Sequence, residues 1–376
     1  MKALQIGAGN IGRGFIGQLL YEAGWDLCFA DINDELIQKL KAEQKYKVEL
    51  AGEEQQIVQV DQVDAVHSAE EEEELLKRIA EADLITTAVG PNVLKGIAPA
   101  LAAGLRKRLD AGAAPVNVIA CENMAGATDQ LKYYIFEHVT DEEQEQIAAF
   151  TGFANAAVDR IVPQQPAENE LDVTVEPFFE WVVETPALKG GRPDIPSVTF
   201  VDDLTPYMER KLFTVNTGHA ALAYHGFAAD IETIKEAAEH PTVAEKLDKV
   251  LQETSVLLEQ KHGFSTEEME WYRSKITVRF RNPHISDSVE RVGRGPVRKL
   301  GPNDRLVRPA LELMERDITP EALAGVIAAC LEFDVKEDPE SVELQQKVQA
   351  DGKKHTLAAY TGLVEDHPFI QKILSF

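Results

Sequence analysis

A chain of 376 residues that is 44% hydrophobic is longer than one ordinary domain, so two domains are expected. Its net charge of −26 argues against non-specific binding to nucleic acid or anionic membrane, and no apolar run approaches the ~18 residues of a membrane span. Cys28, Cys121 and Cys330 lie far apart without ligand spacing, so neither a disulfide framework nor a metal is expected.

The start, Met-Lys-Ala-Leu-Gln, leads into a strand over residues 2–6 rather than into a signal peptide, so a cytoplasmic location is expected. Gly7-Ala8-Gly9-Asn10-Ile11-Gly12 follows at once, and then an apolar-periodic helix through about Ala23, the order that a dinucleotide site requires. Gly7 permits the tight turn, Gly9 lets a pyrophosphate approach the backbone, and Gly12 lets helix and strand pack closely. A second strand, Leu27 to Ala30, ends in Asp31, 24 residues after Gly7. A carboxylate there accepts from the adenosine ribose hydroxyls and repels a 2′-phosphate. No arginine adjoins Asp31, so NAD(H) is favoured over NADP(H).

Further along come a helix near 33–43, strand-like pieces around 47–60, and a helix at about 69–82 that begins with the acidic run Glu70 to Glu74. The strand Leu84 to Val89, a helix near 91–108 and the strand Val116 to Ala120 complete the alternation. This pattern predicts an α/β fold, with an N-terminal Rossmann-type, doubly wound, mainly parallel sheet. Strand-like runs at Leu171 to Val175, Trp181 to Val183 and Val198 to Val201 extend that domain to about residue 204. From Pro206 helical periodicity dominates, over about 231–262, 266–276, 303–315, 319–332, 341–350 and 353–363, so residues 205–376 form a mostly α-helical second domain.

Within that domain a helix capped by Thr205 and begun by Pro206 carries Lys211, Asn216 and His219. At about 100° per residue the three fall within an arc of roughly 140°, with the imidazole between amine and carboxamide. Such a face can exchange a proton with an alcohol while holding its oxygen. Thr214, Val215, Thr217 and Gly218 make the helix interior weak, a sign that packing or a site overrides local preference. Tyr207-x3-Lys211 offers a rival tyrosine–lysine pair, which would leave Asn216 and His219 without roles. Ten basic residues between Arg273 and Arg308 face three acidic ones, an excess suited to an anionic substrate or to pairing with the acidic surface. Residues 293–299 read as a loop able to surround a phosphate, with Arg294, Arg298 and Lys299 as its ligands and Arg279 and Arg291 as alternatives.

Together, Gly7-Ala-Gly-Asn-Ile-Gly-Arg-Gly, Cys121-Glu-Asn-Met, Val158-Asp-Arg-Ile-Val-Pro, the lysine–asparagine–histidine trio and Arg279-Phe-Arg-Asn-Pro resemble the polyol-specific long-chain dehydrogenases. The resemblance spans residue 3 to at least 308. It implies a zinc-independent enzyme that interconverts mannitol 1-phosphate and fructose 6-phosphate with NAD(H), as a monomer or homodimer. It also implies Lys211 as the acid/base, Asn216 and Asn123 as donors to the reacting oxygen, His219 as an orienting residue and Asp159 near substrate hydroxyls. Met208, three residues before Lys211, departs from a glutamate found in some relatives that act on free polyols. Relatives acting on free mannitol, fructuronate or tagaturonate remain alternatives, as does, more distantly, a non-catalytic NAD(H)-binding regulator.

Overall fold

Strands as apolar as Leu84–Thr87 and Val116–Ala120, buried at every position, need cover on both faces. In the computed structural model, which describes residues 1–52, 56–163, 170–284 and 287–376, the chain divides into two units, Met1–Tyr207 and Met208–Phe376. The strands are, in chain order, β1 (Lys2–Ile6), β2 (Asp26–Asp31), β3 (Lys45–Leu50), β4 (Gln56–Asp61), β5 (Asp64–His67), β6 (Leu84–Thr87), β7 (Val116–Ala120), β8 (Thr151–Phe153), β9 (Ala156–Asp159), β10 (Val173–Val175), β11 (Glu180–Glu184) and β12 (Thr199–Val201).

All pairs of the main sheet are parallel, in the order β5-β2-β1-β6-β7-β8. Strand order therefore reverses between β1 and β6, which is where a doubly wound sheet opens a crevice at its carboxyl ends. Leu4 and Ile6 of β1 enter one core with Ile79, Leu101 and Leu131, while Ala3 enters the other with Phe15, Phe29 and Trp181. The strand-like runs after residue 170 lie outside this sheet. β10 joins β3 and β4 in one three-stranded sheet, and β12 and β11 join β9 in another. β5, β8 and β9 and the helices Ala127–Phe136 and Asp141–Phe150 have no counterpart in the sequence reading.

The second unit is mostly helical; among its described residues the β-type pairing is one isolated bridge, Thr233 with Ser288. At its centre Thr217–Phe227 is buried on nearly every side, as expected of a helix that carries no charged Lys, Arg, Asp or Glu and is mostly Ala, Gly and large apolar or aromatic residues. The single helix expected over 231–262 is two, Ile234–Glu239 and Pro241–His262. Pro241 cannot supply the N–H that would continue the first, and it suits the opening turn of the second. The two helices expected at 341–350 and 353–363 are present within Pro339–Thr361, parted by a kink where Gly352 leaves helical geometry at φ 80°. Residues 293–299 are not an open loop: the short helices Val289–Gly293 and Pro296–Lys299 meet there. Among the described residues no helix is long and apolar enough to cross a membrane.

Candidate active site

The glycine loop follows β1 at the reversal point. Gly7 has φ 94°, and a Cβ on it would stand 2.4 Å from the Ala88 carbonyl oxygen; one on Gly12 would stand 1.9 Å from the Gly7 oxygen. A Cβ on Gly9 would meet nothing within 4 Å. The loop is thus packed solid at its first and third glycines and open at its second. Because N–H groups of a helix's first turn have no intrahelical partner, this arrangement suits a pyrophosphate. Buried Gln5 braces the turn, donating to the Ile6 and Gly7 carbonyls at 2.9 and 3.1 Å and accepting from Thr86 Oγ1 at 2.6 Å. Asp31, at the end of β2, accepts from the Ala8 N–H at 2.7 Å and the Asn33 N–H at 3.0 Å, so its carboxylate is fixed against the loop. His67 stabilises the adjoining bend: Nε2 lies 2.9 Å from the Ile32 carbonyl while Nδ1 accepts from the Ala69 and Glu70 N–H groups.

Two buried arginines support this unit through backbone oxygens. Arg13 donates to the Ala8 and Leu171 carbonyls, and Arg160 to those of Glu176 and Gly14 and to Gln18 Oε1. Burial pushes the Arg160 guanidinium down to about 10. Asp159 is buried beside it at the end of β9. Asn123 is exposed just after β7, and its neighbour Glu122 is buried. The Glu122 carboxylate accepts from Thr87 Oγ1 at 2.8 Å and from the Val89 and Gly90 N–H groups at 2.9 and 2.8 Å, which ties the segment after β6 to the one after β7.

In the second unit Lys211, Asn216 and His219 are each half-buried, whereas Phe213, Thr214, Val215, Thr217 and Gly218 between them are buried. The helix therefore opens on the trio. Its geometry differs from the regular helix expected: Lys211–Asn216 is a widened turn of the π type, in which the Thr217 N–H reaches the Leu212 carbonyl five residues back. One extra residue in the turn stacks Lys211 and Asn216 more nearly in line than an ordinary helix would. Thr217 holds the turn, its hydroxyl lying 3.0 Å from the Leu212 carbonyl and 2.7 Å from that of Arg305. The weak interior residues thus have structural work, including Gly218, where a Cβ would meet the Phe280 ring at 2.9 Å. His219 also lies against Phe280, with ring centroids 4.6 Å apart. The glycine loop leads into a matching widened turn, Gly12–Gly17, whose Arg13 carbonyl accepts the Gln18 N–H and the Tyr46 hydroxyl.

Two residues before Lys211, buried Glu209 takes hydrogen bonds from His262 Nε2 at 2.7 Å, Lys261 at 2.8 Å and Arg308. Burial alone would raise its carboxyl, but these donors outweigh it and hold the group below its ordinary value. The basic segment is partly consumed in the same way. Arg291 grips Asp287 through two bonds at 2.5 and 2.6 Å, Arg298 and Arg305 share Asp304, and Arg308 also reaches Glu312. Lys299 is buried, its ammonium on the Val292 and Arg294 carbonyls at 2.6 and 2.5 Å, and burial, with help from the Arg305 charge, pushes it down to about 8. Arg279 is buried in the helix Thr266–Phe280. Arg294 is exposed, with one long contact of 3.4 Å to the Arg291 carbonyl.

Gln5, Glu122, Arg160 and Glu209 are absent from the candidates read in the sequence. Only Cys121-Glu-Asn-Met and Val158-Asp-Arg, segments that already contain Glu122 and Arg160, gave any signal.

Comparison with known proteins agrees over the whole chain. The family model for the mannitol dehydrogenase Rossmann domain matches residues 1–197, and that for the mannitol dehydrogenase C-terminal domain matches 203–365. A mannitol-1-phosphate 5-dehydrogenase of Bacillus subtilis (strain 168) is 50% identical over 374 residues, covering 100% of this chain and 99% of the relative. One from Shouchella clausii (strain KSM-K16) is 48% identical, with 99% of each chain covered. Among solved structures, the fold is similar to Pseudomonas fluorescens mannitol 2-dehydrogenase in ternary complex with NAD and D-mannitol (TM-score 0.76, 20% identity, 99% of this chain and 90% of that one). It is also similar to a substrate-free D-sorbitol dehydrogenase (TM-score 0.84, 19% identity, 99% and 91%). With both halves matched and full-length relatives at about half identity, the chain belongs to the mannitol dehydrogenase family.

Proposed function

We propose that the chain interconverts D-mannitol 1-phosphate and D-fructose 6-phosphate with NAD(H), Lys211 exchanging the proton with the reacting oxygen. The observation that carries this reading is the trio itself: over residues 211–219 an amine, a carboxamide and an imidazole are half-buried, and the other residues, Leu212 apart, are packed away. The full-length relatives named for this reaction, together with the glycine loop and Asp31, support the choice of substrate pair and cofactor.

The open side of the loop at Gly9 receives the pyrophosphate, with Ala8, Asn10 and Ile11 around it, and Asp31 accepts from the ribose hydroxyls. Bound NADH supplies the hydride to C2 of the ketose, which becomes C5 in the numbering of the polyol phosphate. Lys211 donates the proton to the oxygen as it gains charge, and recovers it when the alcohol is oxidised. Asn216 and Asn123 donate hydrogen bonds to that oxygen, and His219, steadied by the Phe280 ring, orients the sugar. Asp159 receives sugar hydroxyls. Arg294 and Arg298 bind the phosphate, while Lys299 shapes the turn that carries them.

Loss of NADH absorbance in the presence of fructose 6-phosphate, free fructose or tagaturonate tests the reading. Strong preference for fructose 6-phosphate is expected. Equal or better turnover of either other ketose would overturn the assignment of substrate. Lys211→Ala should lower turnover by about 10²–10⁴-fold with NADH binding intact, whereas Tyr207→Phe should not.

A further inference from the structure

The second unit contains a cavity of about 780 Å³ between the helices Pro241–His262, Glu321–Leu331 and Pro368–Ile373; none of the trio lines it, although the helix that carries His219 reaches it at His225. That volume suits a small organic molecule. One wall is a run of small side chains on Glu321–Leu331, namely Ala322, Gly325 and Ala329; facing it are Ile373 and Leu374, near the end of the chain.

A stripe of small residues would mean little alone. At the cavity wall, however, stands His225, which is 6% exposed and makes no hydrogen bond to the described residues. A buried polar group normally has a partner. As a residue that lines the cavity, His225 can find that partner in a bound molecule.

The charged residues around the cavity are mostly engaged. Lys249 pairs with Glu245, Lys353 with Glu332, and Lys372 with Glu321. Glu253 accepts the Ala322 and Leu323 N–H groups at 2.7 and 3.0 Å, capping the helix that begins there. Lys246 is the lining cation without a carboxylate partner among the described residues, and it is close enough to His225 for its charge to be felt there. One ammonium and one imidazole N–H, beside an apolar wall, complement a group with one negative charge and two acceptor oxygens. A dianion would be poorly compensated there in a protein of net charge −26.

We propose that this cavity is a binding site for a small monocarboxylate with an apolar body, its carboxylate held by Lys246 and His225 and its body lying along Ala322, Gly325 and Ala329. The site stands independently of the dehydrogenase reading, since none of these residues has a part in that chemistry.

Calorimetric titration of the full chain with octanoate, octan-1-ol and octylamine tests it. Saturable one-to-one binding of octanoate is expected, at least tenfold tighter than octanol, with no binding of the amine. Lys246→Ala, an exposed substitution, should weaken octanoate at least tenfold and leave octanol unchanged. Ala329→Leu should weaken both at least tenfold by placing a larger side chain where the apolar body lies, with folding verified by circular dichroism. Failure of octanoate to saturate the wild-type chain, equal affinity for octanol, preference for octylamine, or indifference to Lys246→Ala would each overturn the proposal. So would self-association that Ala329→Leu disrupts while octanoate does not bind, because a second copy of the chain would then fill the groove.

Discussion

Thr217→Val probes the device that gives the trio its geometry. The side chain is fully buried, and its hydroxyl stands 3.0 and 2.7 Å from the Leu212 and Arg305 carbonyls. Valine keeps the branched shape and removes the donor. The Leu212 oxygen retains the Thr217 N–H, so the carbonyl that loses this donor outright is that of Arg305. An unmade hydrogen bond at such a site costs about 1–3 kcal/mol, and with one of two acceptors still served the lower half of that range is expected. Thr217→Ser supplies the control, since it keeps the hydroxyl and loses one buried methyl, worth about 0.8 kcal/mol. The two variants should therefore differ little in the denaturation midpoint of the helical unit, followed by circular dichroism. They should differ in catalysis. Loosening the turn by about 1.4 kcal/mol in the reacting geometry lowers kcat about tenfold, so valine should lose that much and serine almost nothing. Equal kcat in the two variants would show that the hydroxyl does not set the register of Lys211 and Asn216.

Asp31→Ser removes the charge that repels a 2′-phosphate and two acceptors for the loop; the ratio of kcat/KM for NADPH over NADH should rise at least tenfold, and an unchanged ratio would remove Asp31 from cofactor selection. Neutralising Arg294 and Arg298 together should raise KM for fructose 6-phosphate tenfold or more without altering NADH affinity, and a silent double variant would move the phosphate site elsewhere. Burial of His225, with the Lys246 charge second, pushes its imidazole down to about 4 from an ordinary 6.5. Between those values the unfolded chain binds the proton and the folded one does not, so stability rises with pH across that window and is lost as pH falls from 6.5 toward 4. The loss amounts to at most about 3 kcal/mol. His225→Phe should flatten this part of the stability profile, measured by urea midpoints at closely spaced pH; an unchanged slope would place the titration on other groups.

What could be read in advance depended on whether a residue's partners lie nearby in sequence. Gly7, Gly9, Gly12 and Asp31 serve one local turn, and their spacing declares it. The trio was legible as a set of chemical groups, but its angular arrangement was not, because the turn is held by a hydroxyl bound to Arg305, 88 residues away. Glu122, Arg160 and Glu209 answer to remote backbone or charged groups, and nothing in their own neighbourhood marks them as buried. The basic segment misled for a related reason. Charge counting finds the arginines and, within the segment, Asp287 and Asp304, but it does not show that these carboxylates pair with particular arginines or that Glu209, far away in sequence, takes Arg308. The break before Pro241 was written in the sequence, since a proline cannot continue the helix that precedes it and suits the first turn of the next.

The widened turn at Lys211–Asn216 also bears on how such a chain tolerates insertions and deletions. One residue removed between Lys211 and Asn216 would let an ordinary turn reform, leaving lysine and asparagine four residues apart and so about 40° from each other around the helix. The carboxamide would then keep to the lysine's face. Lys-x4-Asn is therefore the spacing of a widened turn, and a homologue with Lys-x3-Asn should carry the same pair of groups on an unbroken helix.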